Sequence, residues 1–120
     1  IYLPFSGDIH SDHRITFDLV IASSKSFRNN YIKELLSYEV LSETNFSISP
    51  TTPYFKANLY QDITKFIKRK LKACNIYKTE FKNHPFPRSI EVVESLAKLR
   101  GSESGFKYAE AFMILKKIRE

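Results

Sequence analysis

The apolar residues of this chain change their spacing part-way along, and that change limits the folds open to it. Between residues 14 and 22, Ile15, Phe17, Leu19 and Ile21 alternate with Thr16, Asp18, Val20 and Ala22. A period of two predicts a strand with one strongly apolar face. From residue 56 onward the spacing becomes three and four, the signature of amphipathic helices. The chain therefore divides into a mixed α/β part, residues 1–54, and a mainly helical part, residues 55–120, within a single α+β domain of 120 residues. With 14% aromatic residues and three glycines, the sequence is built to pack rather than to stay disordered.

Further elements follow from the same pattern. Ile1–Phe5 is short, apolar and interrupted by Pro4, which suits an edge strand or a packed arm. "SFRNNYIKELLS" spaces Phe27, Tyr31 and Leu35 four apart behind Ser26, predicting a short capped helix. Tyr38/Val40 and Phe46/Ile48 around "SETN" predict a hairpin. Thr52 and Pro53 suit the first turn of a helix, and Leu59, Ile63, Phe66, Ile67, Leu71 and Cys74 form its stripe. Residues 76–82 read as either a turn or one more strand, since Tyr77, Thr79 and Phe81 alternate. A helix over 88–100 ends at Gly101, and a last helix, capped by Ser102 or Ser104, runs to about Arg119. Its apolar residues surround it almost completely, which predicts burial in the core or in a homodimer seam.

Charge is distributed unevenly. The net charge is +6, yet residues 55–82 alone carry eight lysines and arginines against Asp62 and Glu80. On a helix, Lys65, Lys68, Arg69 and Lys72 share one face, with Lys78 and Lys82 beyond it. Such a row suits phosphates, since each contact releases condensed counterions without reading sequence. Tyr60 and Tyr77 are spaced to offer a base a stacking surface. These residues predict a small binding module for nucleic-acid backbone, DNA or RNA, with no cofactor and no membrane. The single cysteine, Cys74, excludes an internal disulfide and points to a reducing, cytoplasmic setting. No apolar run approaches the ~20 residues that cross a bilayer. The alternative, from a different class, is a protein-interaction module that dimerises through the last helix or meets an acidic partner.

A third reading rests on "GDIHSDH", where Asp8, His10, Asp12 and His13 fall within six positions. Imidazoles and carboxylates are zinc and manganese ligands, and close spacing lets one loop supply several. The pattern resembles the H-x-H-x-D-H signature of the metallo-β-lactamase superfamily with one ligand changed, and "HSDH" resembles the form found in its nucleases. That resemblance implies a small metal-dependent hydrolase. The chain departs from it, however: a strand pattern replaces the glycine pair that follows the signature, and His84 is the one histidine left downstream. A polar turn held by local hydrogen bonds is the simpler expectation. Asp18, Glu80 and Lys82 likewise resemble the carboxylate–lysine set of restriction-type nucleases, but the interval between Asp18 and Glu80 does not fit that core. Neither a Walker loop, nor G-x-G-x-x-G, nor G-x-S-x-G is present. A binding protein is therefore favoured over an enzyme.

Overall fold

The computed structural model describes residues 1–119 and has an α+β fold. Its elements run β1 (Tyr2–Pro4), α1 (Ser11–Ser23), β2 (Glu34–Tyr38), β3 (Leu59–Asp62), α2 (Ile67–Cys74), α3 (Ile90–Ser104) and β4 (Ala109–Lys117), with a 3-10 turn at Thr44–Phe46. The strands form one mixed sheet in the order β1-β2-β4-β3. β1 is parallel to β2, and β2 is antiparallel to β4. The chain condenses into two compact units, one comprising Ile1–Leu59 with the chain from Phe112, the other Tyr60–Ala111.

In the first unit, Leu3, Ile32 and Leu35 form a core against which Phe17, Val20 and Leu115 pack. Leu35, Leu36 and Ser37 are buried in succession, as a strand paired on both edges and covered on both faces requires. The expected helix over 26–37 is therefore turns followed by β2. Phe27 and Tyr31, assigned to its apolar face, lie exposed in those turns.

The strand expected at 14–22 is instead the body of α1. His13, Phe17, Val20 and Ser24 are its less exposed positions, spaced four, three and four apart. The apparent period of two arises because Ile15 and Leu19, 57% and 65% exposed, line another face of the same helix. Capping decides the outcome: the Asp12 backbone N–H donates to His10 Nδ1 (3.1 Å), and Asp12 sits in the first turn, where a negative charge suits the helix dipole. Nor does the hairpin over 38–49 form. β2 ends at Tyr38, and the Val40 N–H turns back onto Thr44 Oγ1 (2.8 Å) at the 3-10 turn.

The second unit packs Ile63, Ile67 and Ala97 together, with Leu71 and Tyr108 against them. The long helix expected from residue 56 is broken into β3 and α2. The break is an Asx turn, in which the Thr64 N–H donates to Asp62 Oδ1 (2.8 Å) between strand and helix. Residues 76–82 are turns and coil, not a strand. α3 begins as expected, the Val92 N–H donating to Ser89 Oγ at 3.2 Å, and buries Val93, Ala97 and Gly101 on one face.

Gly101 does not end the helix. A Cβ there would lie 2.6 Å from the Phe106 carbonyl oxygen, so glycine is needed for close approach, and the left-handed C-terminal residue is Gly105 (φ 78°). The last helix, expected as a core element or dimer seam, is β4. A run apolar at nearly every position also describes a strand covered on both faces, and β4 lies between β2 and β3. Phe112 and Met113 are half-buried within it, and Phe106 lies before it, exposed. The dimer premise loses its helix.

Gly101→Ala should destabilise the fold more than Gly105→Ala. The latter introduces only the left-handed penalty of about 1–2 kcal/mol, whereas the former also forces the 106–107 backbone away; paired thermal melts compare them. Glu94 provides a pH test. Its carboxyl is held below the usual glutamate range, first by the hydrogen bond from Lys98 and then by that from Tyr108. A lowered acid stabilises the fold above its unfolded value, and that contribution disappears as pH falls through the folded one. Glu94→Gln should therefore flatten the stability profile on the acid side of the ordinary glutamate range, as urea melts across pH would show.

Candidate functional site

The best-built polar site is the connection from β1 into α1. Asp8, a single per cent exposed, is among the few buried polar residues. Its Oδ2 lies 2.7 Å from His13 Nδ1, and its Oδ1 accepts the Thr44 hydroxyl at 2.5 Å. A carboxylate removed from water is costly unless its oxygens are met, and here both are. Its backbone is engaged too: Arg14 Nη1 donates to the carbonyls of Asp8 (3.1 Å) and Ile9 (2.6 Å), and the Asp8 N–H donates to the Phe5 carbonyl (3.2 Å).

These contacts fix the imidazole chemistry. With a carboxylate at Nδ1, the neutral His13 ring holds its proton there and leaves a lone pair on Nε2. His10 is the opposite case. Its Nδ1 accepts from the Asp12 backbone, so a neutral ring holds its proton on Nε2. The two rings stack with centroids 5.2 Å apart and 27° between planes. The histidines thus present unlike nitrogens side by side, one an acceptor and the other a donor. Asp12 is exposed in the first turn of α1, and its backbone N–H is what the His10 cap accepts. Among the described residues, no group of three or more His, Cys, Asp or Glu side chains is arranged to enclose a metal ion.

Asp8 also lines a cavity of about 400 Å³, together with Ser6, Gly7, Ile9, Arg14 and residues between Ser47 and Pro53. Gly7 is required at its wall, since a Cβ there would fall 2.4 Å from the Phe5 ring and 2.7 Å from the Pro53 carbonyl. The sequence points to the histidines but not to Thr44. That residue stands 36 positions from Asp8, and nothing in its surroundings marks it.

The basic residues belong to the second unit. Lys68, Arg69 and Lys72 are exposed on α2, and Lys65 is exposed in the turn before it. The fold therefore brings these four together. Lys78 and Lys82 are exposed in the segment beyond, where Lys82 Nζ stands 5.3 Å from the centre of the Phe86 ring. Tyr60 lies in β3, half-buried, with its hydroxyl donating to Glu103 (3.0 Å). Lys70 leaves the row and pairs with Glu110 at 2.6 Å. Among the described residues no helix is long and apolar enough to cross a membrane. No family model matches the chain.

Asp8→Asn should destabilise the protein by about 1–3 kcal/mol, since a buried amide is a weaker acceptor for two half-buried partners. Thr44→Val should cost less, because only one of the two hydrogen bonds is lost. Urea denaturation of both variants measures the order, and a neutral Asp8→Asn would contradict the inferred role of the carboxylate.

Proposed function

We propose that the protein is a small hydrolase whose working groups are His13 and His10. The supporting observation is the buried Asp8 carboxylate 2.7 Å from His13 Nδ1. A carboxylate behind a histidine orients the imidazole and raises its basicity, as a general base requires. Exposed lysines need no such internal support, and for that reason the histidine pair is preferred here over the basic helix as the centre of function.

A lone ring nitrogen does not hold a divalent ion, and no group of metal ligands surrounds it among the described residues. In this reading His13 Nε2 instead takes a proton from water as that water adds to an acyl carbon, and returns it to the leaving group as the tetrahedral adduct collapses. His10 then acts as a neutral hydrogen-bond donor through Nε2–H, facing the oxygen on which charge develops. Asp8 orients His13 without touching substrate. The Asp12 backbone N–H holds His10 in register, since the His10 ring caps α1 by accepting from it.

Hydrolysis of an activated ester, followed with and without a chelator, tests the assignment. Wild-type protein should catalyse it at a rate the chelator leaves unchanged. His13→Ala should lower that rate by about 100–10,000-fold, Asp8→Asn should slow turnover by releasing the ring, and His10→Ala should slow it less than His13→Ala does. Equal hydrolysis by wild type and His13→Ala would exclude the proposal.

A further inference from the structure

A second surface, independent of the histidine pair, carries its own reading. α2 docks through Ile67, which is buried, and Leu71, which packs half-buried on the Ile63–Ala97 core. That docking turns Lys68, Arg69 and Lys72 to solvent, with Lys65 just before them. Three acidic groups that bear on this segment are already engaged. Asp62 accepts from the Thr64 N–H and feels Lys65, Glu80 faces Arg88 at 3.4 Å, and Glu110 holds Lys70 at 2.6 Å. Lys68, Arg69 and Lys72 make no ion pair among the described residues, so their charge is left for a partner.

The same short element exposes aromatic rings at both ends. Phe66, 54% exposed, immediately precedes α2, and Tyr77, 64% exposed, follows it in a run of tight turns. Lys68 to Lys72 spans roughly 6 Å along α2, and Lys65 extends the row from the turn before it, so the cations can follow successive phosphates of one strand. A cation row between two exposed rings matches a single strand, whose phosphates meet the row while unpaired bases stack. A duplex would leave the rings without a base face. An anionic lipid surface is less well matched, since α2 commits its own apolar stripe to the core.

We propose that the α2 surface, comprising Lys65, Lys68, Arg69 and Lys72 with Phe66 and Tyr77, binds single-stranded nucleic acid through its backbone. Lys78 and Lys82 extend the positive field beyond the helix. The proposal stands apart from the hydrolytic reading, because it uses none of the same residues.

Fluorescence anisotropy of a labelled mixed-sequence 12-nucleotide strand, measured on the full chain across a potassium chloride series, tests it. Log affinity should fall linearly with log salt, with a slope near −3 for four contacts at about 0.7 each. The triple variant Lys68→Gln, Arg69→Gln, Lys72→Gln, verified as folded by circular dichroism, should lose about two units of that slope. Tyr77→Ala should weaken binding by about 5–100-fold with the slope unchanged, since stacking carries no counterion release. His13→Ala should bind as wild type does. Wild-type affinity in the triple variant, no binding at low salt, or binding to phosphatidylserine vesicles in preference to the strand would each overturn the proposal.

Discussion

A carboxylate taken out of water must be met by donors, and at Asp8 those donors come from separated parts of the chain. His13 approaches from the first turn of α1, and Thr44 from the 3-10 turn beyond β2. The peptide groups on either side are used as well. The Asp8 N–H reaches back to Phe5 at the end of β1, and the Ile9 N–H reaches Glu43 at 3.3 Å. One buried charge thereby fixes how the chain leaves β1, where α1 begins and where the loop after β2 turns. A loose arrangement would leave the charge unmet, so the geometry around it is close to all-or-none.

That constraint explains why the neighbouring sequence is easily misread. β-branched and aromatic residues between 14 and 22 favour a strand by local preference. The cap supplied by His10 and the anchoring of His13 start a helix there, and the helix then buries only the Phe17–Val20 side. Local propensity yields to a tertiary hydrogen bond whose other partners lie far away in sequence. The metal-like spacing in "GDIHSDH" is legible, as is the grouping of cations on α2, because both depend on near neighbours. The division of roles among Asp8, His10, Asp12 and His13 is not legible. It depends on which ring nitrogen each backbone and carboxylate contact occupies.

The second half of the chain shows a related limit. α3 is readable from its Ser89 cap and its Val93–Ala97 face. β4 is not, because a continuous apolar run satisfies a buried helix and a central strand equally well. What separates them is the sheet itself, with β2 on one side and β3 on the other. Those partners come from positions whose own patterns were ambiguous. A four-residue strand followed at once by the Asp62 turn and a short helix resembles one longer helix when only apolar spacing is counted.

The corner from α3 into β4 leaves the chain no slack. Gly101 lets the backbone cross the helix at close range, Gly105 supplies the left-handed reversal, and only Phe106, Lys107 and Tyr108 separate that glycine from the strand. Side chains alternate along a strand, so one extra residue in this connection would invert the positions of β4 from Ala109 up to the irregularity opposite Leu35 and Leu36. Ala109 and Ala111, which fit where they are because they are small, would give way to Glu110 and Phe112. The spacing of these two glycines therefore sets the phase of the strand, and through it the pairing of Leu36 with Ile114 and of Tyr38 with Phe112. Length at this corner is under stronger constraint than composition.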